Sequence, residues 1–237
     1  LRDANEINEK VDRPARNRII DHNPQDMTAI VEAGMKLSEF QDAIRPGGQW
    51  LPLDPPDSEN LSISELISSN ASGPSRYGFG TVRDWLIGIR FFLSDGRSVF
   101  NGGRVVKNVA GFDLCKLMVG SRGTLGVITE ATFKLMPIAE QKVTTSCSCR
   151  SLKEASSRIK AIWDSLIQPS VLDLIRENGE IQLILGISGS KPDVTAQMKS
   201  AENIGDFKAA ELTHESRLRK RMPKVISVTP EQLIPAL

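Results

Sequence analysis

A chain of 237 residues, 40% hydrophobic and 25% charged, holds enough apolar material for one large core or two smaller ones. Its formal net charge of +1 sets up no long-range field, which excludes a polyanion binder drawn in by electrostatics, so nucleic acid is not an expected partner. Cys115, Cys147 and Cys149 cannot all pair internally and only His22 and His214 could help them hold a metal, so a reduced compartment and no metal site are expected; no apolar run reaches bilayer length.

Residues 1–18 are polar, mixed in charge and interrupted by Pro14, and read as a poorly defined lead-in. Residues 27–33 (MTAIVEA) have the composition of a strand, ended by Gly34. Leu37, Phe40 and Ile44 then recur at helical spacing until Pro46-Gly47-Gly48, which together suggests one α/β step. Prolines around Asp54 stiffen residues 49–56, suiting either a wall against a flat ligand or an ordinary surface loop. Ile63 opens a helix that runs into Asn70-Ala71-Ser72-Gly73, where small side chains and amides at a helix end suit a phosphate or pyrophosphate.

Residues 77–84 form a glycine-punctuated turn, with Arg83 and Asp84 placed for a local ion pair. Ile87, Ile89, Phe91 and Leu93 alternate as a strand, Ser94-Asp95-Gly96 makes a hairpin turn, and residues 98–100 return. In the stretch GGRVVKNVAGFD, Lys107 and Asn108 could contact an anionic ring edge or phosphate, or Lys107 could merely satisfy backbone carbonyls. Leu114, Leu117 and Met118 mark a short helix in which Cys115 acts as a small buried hydrophobe. The stretch VGSRGTLGVITE follows. Its small positions Gly120, Ser121, Gly123 and Gly126 let backbone pass close to something, ahead of a strand whose Val127, Ala131, Phe133 and Leu135 would share one face.

Beyond Pro137 the character changes. Residues 143–148 read as a strand, with Cys147 and Cys149 at a plain strand edge. Leu152, Ala155, Ile159, Ile162 and Leu166 mark an amphipathic helix, residues 171–175 and 181–187 two strands, 194–204 a helix and 209–212 a last strand. That βαββα order suggests a split βαβ sheet with its helices on one side. Arg217, Arg219, Lys220 and Arg221 read as a solvated helix face, and nothing secure follows Pro223.

The ordered segments WLPLDPP, SSNASGP, YGFGTVRDWLIGIRFFLSDG and GGRVVKNVAGFDLCKLMVGSRGTLGVITEATFKLMP closely resemble the GlcE-like, FAD-binding subunits of glycolate oxidase. These belong to the flavoproteins with a p-cresol methylhydroxylase (PCMH, or vanillyl-alcohol oxidase) type FAD domain. The resemblance spans roughly residues 19–137, and each motif is weak alone while the ordered set is specific. It implies an α+β fold: a lead-in over 1–18, a PCMH-type FAD-binding domain over 19–138 with its N-terminal subdomain incomplete, and a partial ferredoxin-like cap over 139–237. The resemblance places FAD on Pro55, Ser62, Ile63, Ser69, Asn70, Ala71, Gly73, Gly123, Thr124, Gly126, Val127 and Ile128.

Two departures from the family pattern bear on that site. Relatives wrap the pyrophosphate with an N-terminal glycine-rich loop, and residues 1–18 contain no glycine. Ser64 and Glu65 stand where relatives usually carry two glycines, so a carboxylate either faces the diphosphate, at a cost of about 1 kcal/mol at 4 Å in bulk water and more where solvent is excluded, or turns to solvent. The cap of the catalytic subunits carries a histidine-rich motif for the hydroxy acid. Here only His214 lies in that half, so no catalytic residue is assigned. The function implied is an FAD-binding accessory subunit of a glycolate (2-hydroxy acid) dehydrogenase complex, taking part in flavin-mediated oxidation of glycolate to glyoxylate. Its implied partners are a homologous flavin catalytic subunit and an iron–sulfur subunit, and its implied location is cytoplasmic, peripheral at the inner membrane through those subunits. The alternative is a structural subunit that has lost the flavin; a stand-alone flavin oxidase for another alcohol ranks below both.

Overall fold

The computed structural model describes residues 17–103 and 113–209. Its elements, in chain order, are β1 (Ile19–Asn23), β2 (Thr28–Glu32), α1 (Leu37–Ile44), β3 (Gln49–Trp50), α2 (Ile63–Ser69), α3 (Arg76–Phe79), α4 (Val82–Trp85), β4 (Leu86–Phe92), β5 (Ser98–Gly102), α5 (Leu114–Met118), β6 (Val127–Lys134), β7 (Met136–Pro137), β8 (Gln141–Cys149), α6 (Leu152–Trp163), β9 (Val171–Glu177), β10 (Glu180–Gly189), α7 (Lys191–Glu202) and β11 (Lys208–Ala209). The chain divides into two units. One takes Leu1–Gly73 and Gly80–Ile138, the other Pro74–Phe79 and Ala139–Leu237.

In the first unit a five-stranded sheet runs in the order β1-β2-β6-β4-β5, every neighbouring pair antiparallel. The α/β step expected over residues 27–44 is therefore a hairpin strand followed by a helix laid on an antiparallel sheet. The strand β1 that completes the hairpin, IIDHN, is half polar and carries no clear alternation of its own. Ala29, Val31, Ile89, Ala131 and Phe133 are buried on one face, and α1 covers them with Leu37, Phe40 and Ile44, the Phe40 and Phe133 rings lying 6.0 Å apart. The opposite face is amphipathic. Arg90 Nε meets Glu130 Oε2 at 2.9 Å and its guanidinium lies 5.4 Å from the centre of the Phe100 ring.

Strand β6 departs from strict alternation. Arg90 pairs with Glu130 but Phe91 pairs with Ile128, so Thr129 is an extra residue, a β-bulge whose hydroxyl donates to Arg90 O at 3.2 Å. The bulge changes the parity of the strand: Ile128 joins the core, and Val127, expected there, is half-buried. The expected turn over residues 77–84 is two short helices with Gly80 between them at φ +80. Arg83 and Asp84 do not pair. Asp84 accepts from the Thr81 N–H at 2.8 Å, and Arg83 Nη1 donates to Lys116 O at 3.3 Å.

In the second unit the sheet order is β11-β8-β10-β9, again antiparallel. Ala155 and Ile162 of α6 and Val194 and Ala201 of α7 pack with Leu183, Leu185 and Ile187 of β10 in one core. Cys147 and Cys149 belong to that core, 2% and 7% exposed, because both residues fall on the helix side of β8; they lie beyond the two-residue ladder with β11 and, among the described residues, pair only with β10. Helix α3 joins this unit, and the Gly78 N–H donates to Ser170 O at 3.2 Å. Lys107, Asn108, His214, the basic cluster and most of the lead-in lie outside the described residues. No helix among the described residues is long and apolar enough to cross a membrane.

Candidate functional site

The site is assembled around the C-terminal end of α2. This helix starts at Ser62 with a capping box: Glu65 N–H donates to Ser62 Oγ at 3.3 Å, while the Glu65 carboxylate takes the Ser62 N–H at 2.8 Å and hydroxyl at 2.6 Å. Those bonds, the Ser62 hydroxyl first, hold the Glu65 carboxyl below the usual glutamate range. Glu65 therefore closes the start of its own helix. The neighbouring amides are also engaged, Ile63 N–H to Met35 O at 2.9 Å and Ser64 N–H to Ala33 O at 2.8 Å.

The helix ends at Asn70 in the left-handed region, φ 52, with its N–H returned to the carbonyls of Ile67 and Leu66. The small-residue stretch at 70–73 thus sits at the carbonyl end of a helix. The amide-and-dipole reading of that stretch is corrected: the partial charge there is negative, and anion contacts must come from elsewhere.

They can come from the second glycine-rich loop. Gly120 N–H donates to Ile67 O at 3.0 Å and Arg122 N–H to Ser68 O at 2.8 Å, so carbonyls left open by the end of α2 pin residues 120–122 beside Asn70. A Cβ on Gly120 would lie 3.9 Å from that of Asn70. Within the loop, Ser121 and Thr124 use their N–H groups on Met118 O and Ser121 O, and the Thr124 hydroxyl also bonds Ser121 O at 2.7 Å. The N–H groups of Gly123 and Leu125 make no hydrogen bond among the described residues. Gly123 has φ +74, and nothing lies within 4 Å of where its Cβ would be.

The proline-containing loop closes the third side. Gln41 of α1 grips its start, Nε2 to Leu51 O at 2.5 Å and Leu51 N–H to Oε1 at 3.0 Å, and Leu51, Leu53 and Pro55 are buried. At its middle the loop touches the end of the small-residue stretch: a Cβ on Gly73 would fall 1.8 Å from Asp54 O. Residue 54 therefore touches residue 73, and residues 120–122 lie beside residue 70, at the two ends of one short stretch.

Of the residues expected to hold FAD, the structure brings together Ser69, Asn70, Ala71, Gly73, Gly123 and Thr124, with Pro55 buried in the loop beside Gly73. Ser62 and Ile63 lie at the far end of α2, about 10 Å away for a seven-residue helix, and the Ile63 side chain is wholly buried. Gly126 has a packing reason of its own, since a Cβ there would meet Phe92 O at 2.4 Å; Val127 and Ile128 continue into β6. Arg122 of the pinned loop was not read from the sequence, and Asp54 and Ser121, both singled out there, were not assigned to FAD.

A dinucleotide fits the chemistry of these groups. Asn70 Oδ1 and Ser121 Oγ are enclosed and have no hydrogen-bond partner among the described residues. In the same loop as Ser121 are two amides that make no hydrogen bond among the described residues and the side-chain-free ledge at Gly123, so donors, an acceptor and bare backbone lie within a few residues of one another.

Residues 10–100 match the family model described as FAD binding domain. The chain is 37% identical over 155 residues to glycolate oxidase subunit GlcE of Escherichia coli, covering 64% of this chain and 42% of that one. It is 33% identical over 159 residues to glycolate oxidase subunit GlcD of Bacillus subtilis, 67% of this chain and 34% of that one. To the mitochondrial cytochrome D-lactate dehydrogenase of Arabidopsis thaliana it is 34% identical over 167 residues, 70% and 29% of the two chains. The chain thus spans well under half the length of these relatives. In fold it is similar to solved alkyldihydroxyacetonephosphate synthase, with a TM-score of 0.71 at 20% identity over 87% of this chain and 44% of that one.

Proposed function

Starting from a chain that carries an FAD binding domain of the PCMH type, mixed in helix and sheet, we propose that it holds FAD as an accessory subunit of a complex that oxidises a small 2-hydroxy acid, glycolate to glyoxylate. The observation that supports this best is that two separate loops touch the small-residue stretch at the end of α2, where Asn70 Oδ1 and Ser121 Oγ are enclosed without a hydrogen-bond partner among the described residues. When bound, the isoalloxazine of FAD supplies the redox chemistry. The residues of this chain would bind and orient FAD: the Gly123 and Leu125 amides and the Ser121 hydroxyl would serve as donors to its phosphates, Asn70 as an acceptor, and Gly73 and Gly123 keep the backbone bare of side chains. The proposal assigns substrate oxidation to the complex and names a homologous flavin subunit and an iron–sulfur subunit as partners.

A second reading, a structural subunit without flavin, draws on the start of α2, where the amides of residues 62–65 are all spent within the protein. Incubation of the purified chain with FAD followed by desalting separates the two. The first predicts retained visible flavin absorbance near one equivalent per chain. A colourless protein that still binds the partner subunit would overturn it in favour of the second.

A further inference from the structure

On the reading that the three-loop site holds FAD, we infer that Arg122 is a further cofactor-binding residue whose guanidinium neutralises the diphosphate of the dinucleotide. Arg122 is held in the left-handed region at φ 53, a conformation that costs a residue with a Cβ and that glycine would adopt freely. What holds it there is its own N–H on Ser68 O at 2.8 Å, the same bond that seats the loop against α2. The backbone thus holds Arg122 between Ser121, whose enclosed hydroxyl has no partner among the described residues, and Gly123, whose amide makes no hydrogen bond among them and whose surroundings are open.

The charge is also uncommitted. Arg122 is exposed, and its guanidinium makes no ion pair among the described residues, unlike Arg90, Arg97 and Arg158, each bound to a carboxylate. The nearby helix end presents carbonyls, which repel an anion, so a diphosphate settling there needs positive charge from a side chain. The one glutamate on α2 that could oppose it, Glu65, is turned back onto Ser62 at the other end of the helix. A planar guanidinium is suited to phosphate oxygens because its N–H groups form a rigid fork.

The test is a fluorescence titration of the wild-type chain, R122N and R122K with FAD and with riboflavin, which lacks the diphosphate. Asn tolerates the left-handed region, so R122N removes charge while leaving the loop able to form; circular-dichroism melts within about 2 °C of wild type confirm that. The expected result is FAD affinity about tenfold to a hundredfold weaker in R122N, largely restored in R122K, with riboflavin binding unmoved and the salt dependence of FAD binding reduced. Equal FAD affinity in R122N and wild type, or parallel loss of FAD and riboflavin, would overturn the assignment. Failure of the wild-type chain itself to bind FAD overturns the reading of the site, and this assignment with it; the wild-type titration alone distinguishes that case.

Discussion

The joint between Gly73 and Asp54 offers the sharpest test of how the site is built. In Gly73→Ala the new Cβ would stand 1.8 Å from Asp54 O and 2.6 Å from its carbonyl carbon, whereas real Cβ contacts essentially never fall under 3.0 Å. The two backbones must then part by 3.0 − 1.8 = 1.2 Å at least, and neither side can yield by rotating a side chain, since both contacts are main chain. Overpacking of this kind costs about 1–3 kcal/mol. For a chain of this size that is a fall in melting temperature of roughly 2–12 °C. Flavin retention should fall with it, because the displaced loops are two of the three that build the site. Gly96→Ala is the control: it sits at φ +86 in the β4–β5 turn with nothing within 4 Å, so it should cost stability through backbone strain alone and leave flavin binding intact. A Gly73→Ala protein that melts within about 1 °C of wild type would refute the close approach and the site built on it.

The α2 capping box predicts an acid-sensitive term. The folded Glu65 carboxyl titrates below its unfolded value, so its contribution is present above the unfolded pKa and is lost as pH falls through the folded one; Glu65→Gln should flatten that limb of a stability-against-pH curve, and Ser62→Ala should cost about 1 kcal/mol in denaturant melts at neutral pH. The thiols should be inert in the folded state. Cys115 is pushed up to about 11 by burial and then by the Asp113 carboxylate, and Cys149 to about 11 by burial and then by Cys147, so a thiol-reactive chromophore at pH 8 should count no fast-reacting thiols until denaturant is added.

Most of the core was legible before the structure because burial on one face imposes a period. Leu37, Phe40 and Ile44 can share a side only on a helix, and the βαββα order of the second unit follows from apolar alternation in β9 and β10 set between the stripes of α6 and α7. What the pattern hid was where two elements compete for one residue. The Thr129 bulge exchanges Val127 for Ile128 in the core without any change of composition. The two-residue ladder of β3 with β7 is too short to have a period, and the burial of the Cys147–Cys149 pair comes from the helices that cover its face. The polarity of α2 was legible, since the sequence places Asn70-Ala71-Ser72-Gly73 after the helix; the amide reading failed because a helix leaves carbonyls, not amides, at that end, as the left-handed cap at Asn70 shows.

That polarity explains why the second glycine-rich stretch has to lie where it does. A helix ends with carbonyls in need of donors, and beside the amides of Asn70 and Ala71 those of Gly120 and Arg122 supply them, so finishing the cap of α2 and building the binding loop are the same event. The glycines then divide by task. Gly73 and Gly126 have no side chain because backbone from elsewhere in the unit presses on them, at 1.8 Å and 2.4 Å from a would-be Cβ. Gly123 has none although the space beside it is free, and packing within the described residues gives no reason for that. The left-handed backbone there accounts for a glycine, and the open space beside it, next to Ser121, leaves room for a ligand's atoms.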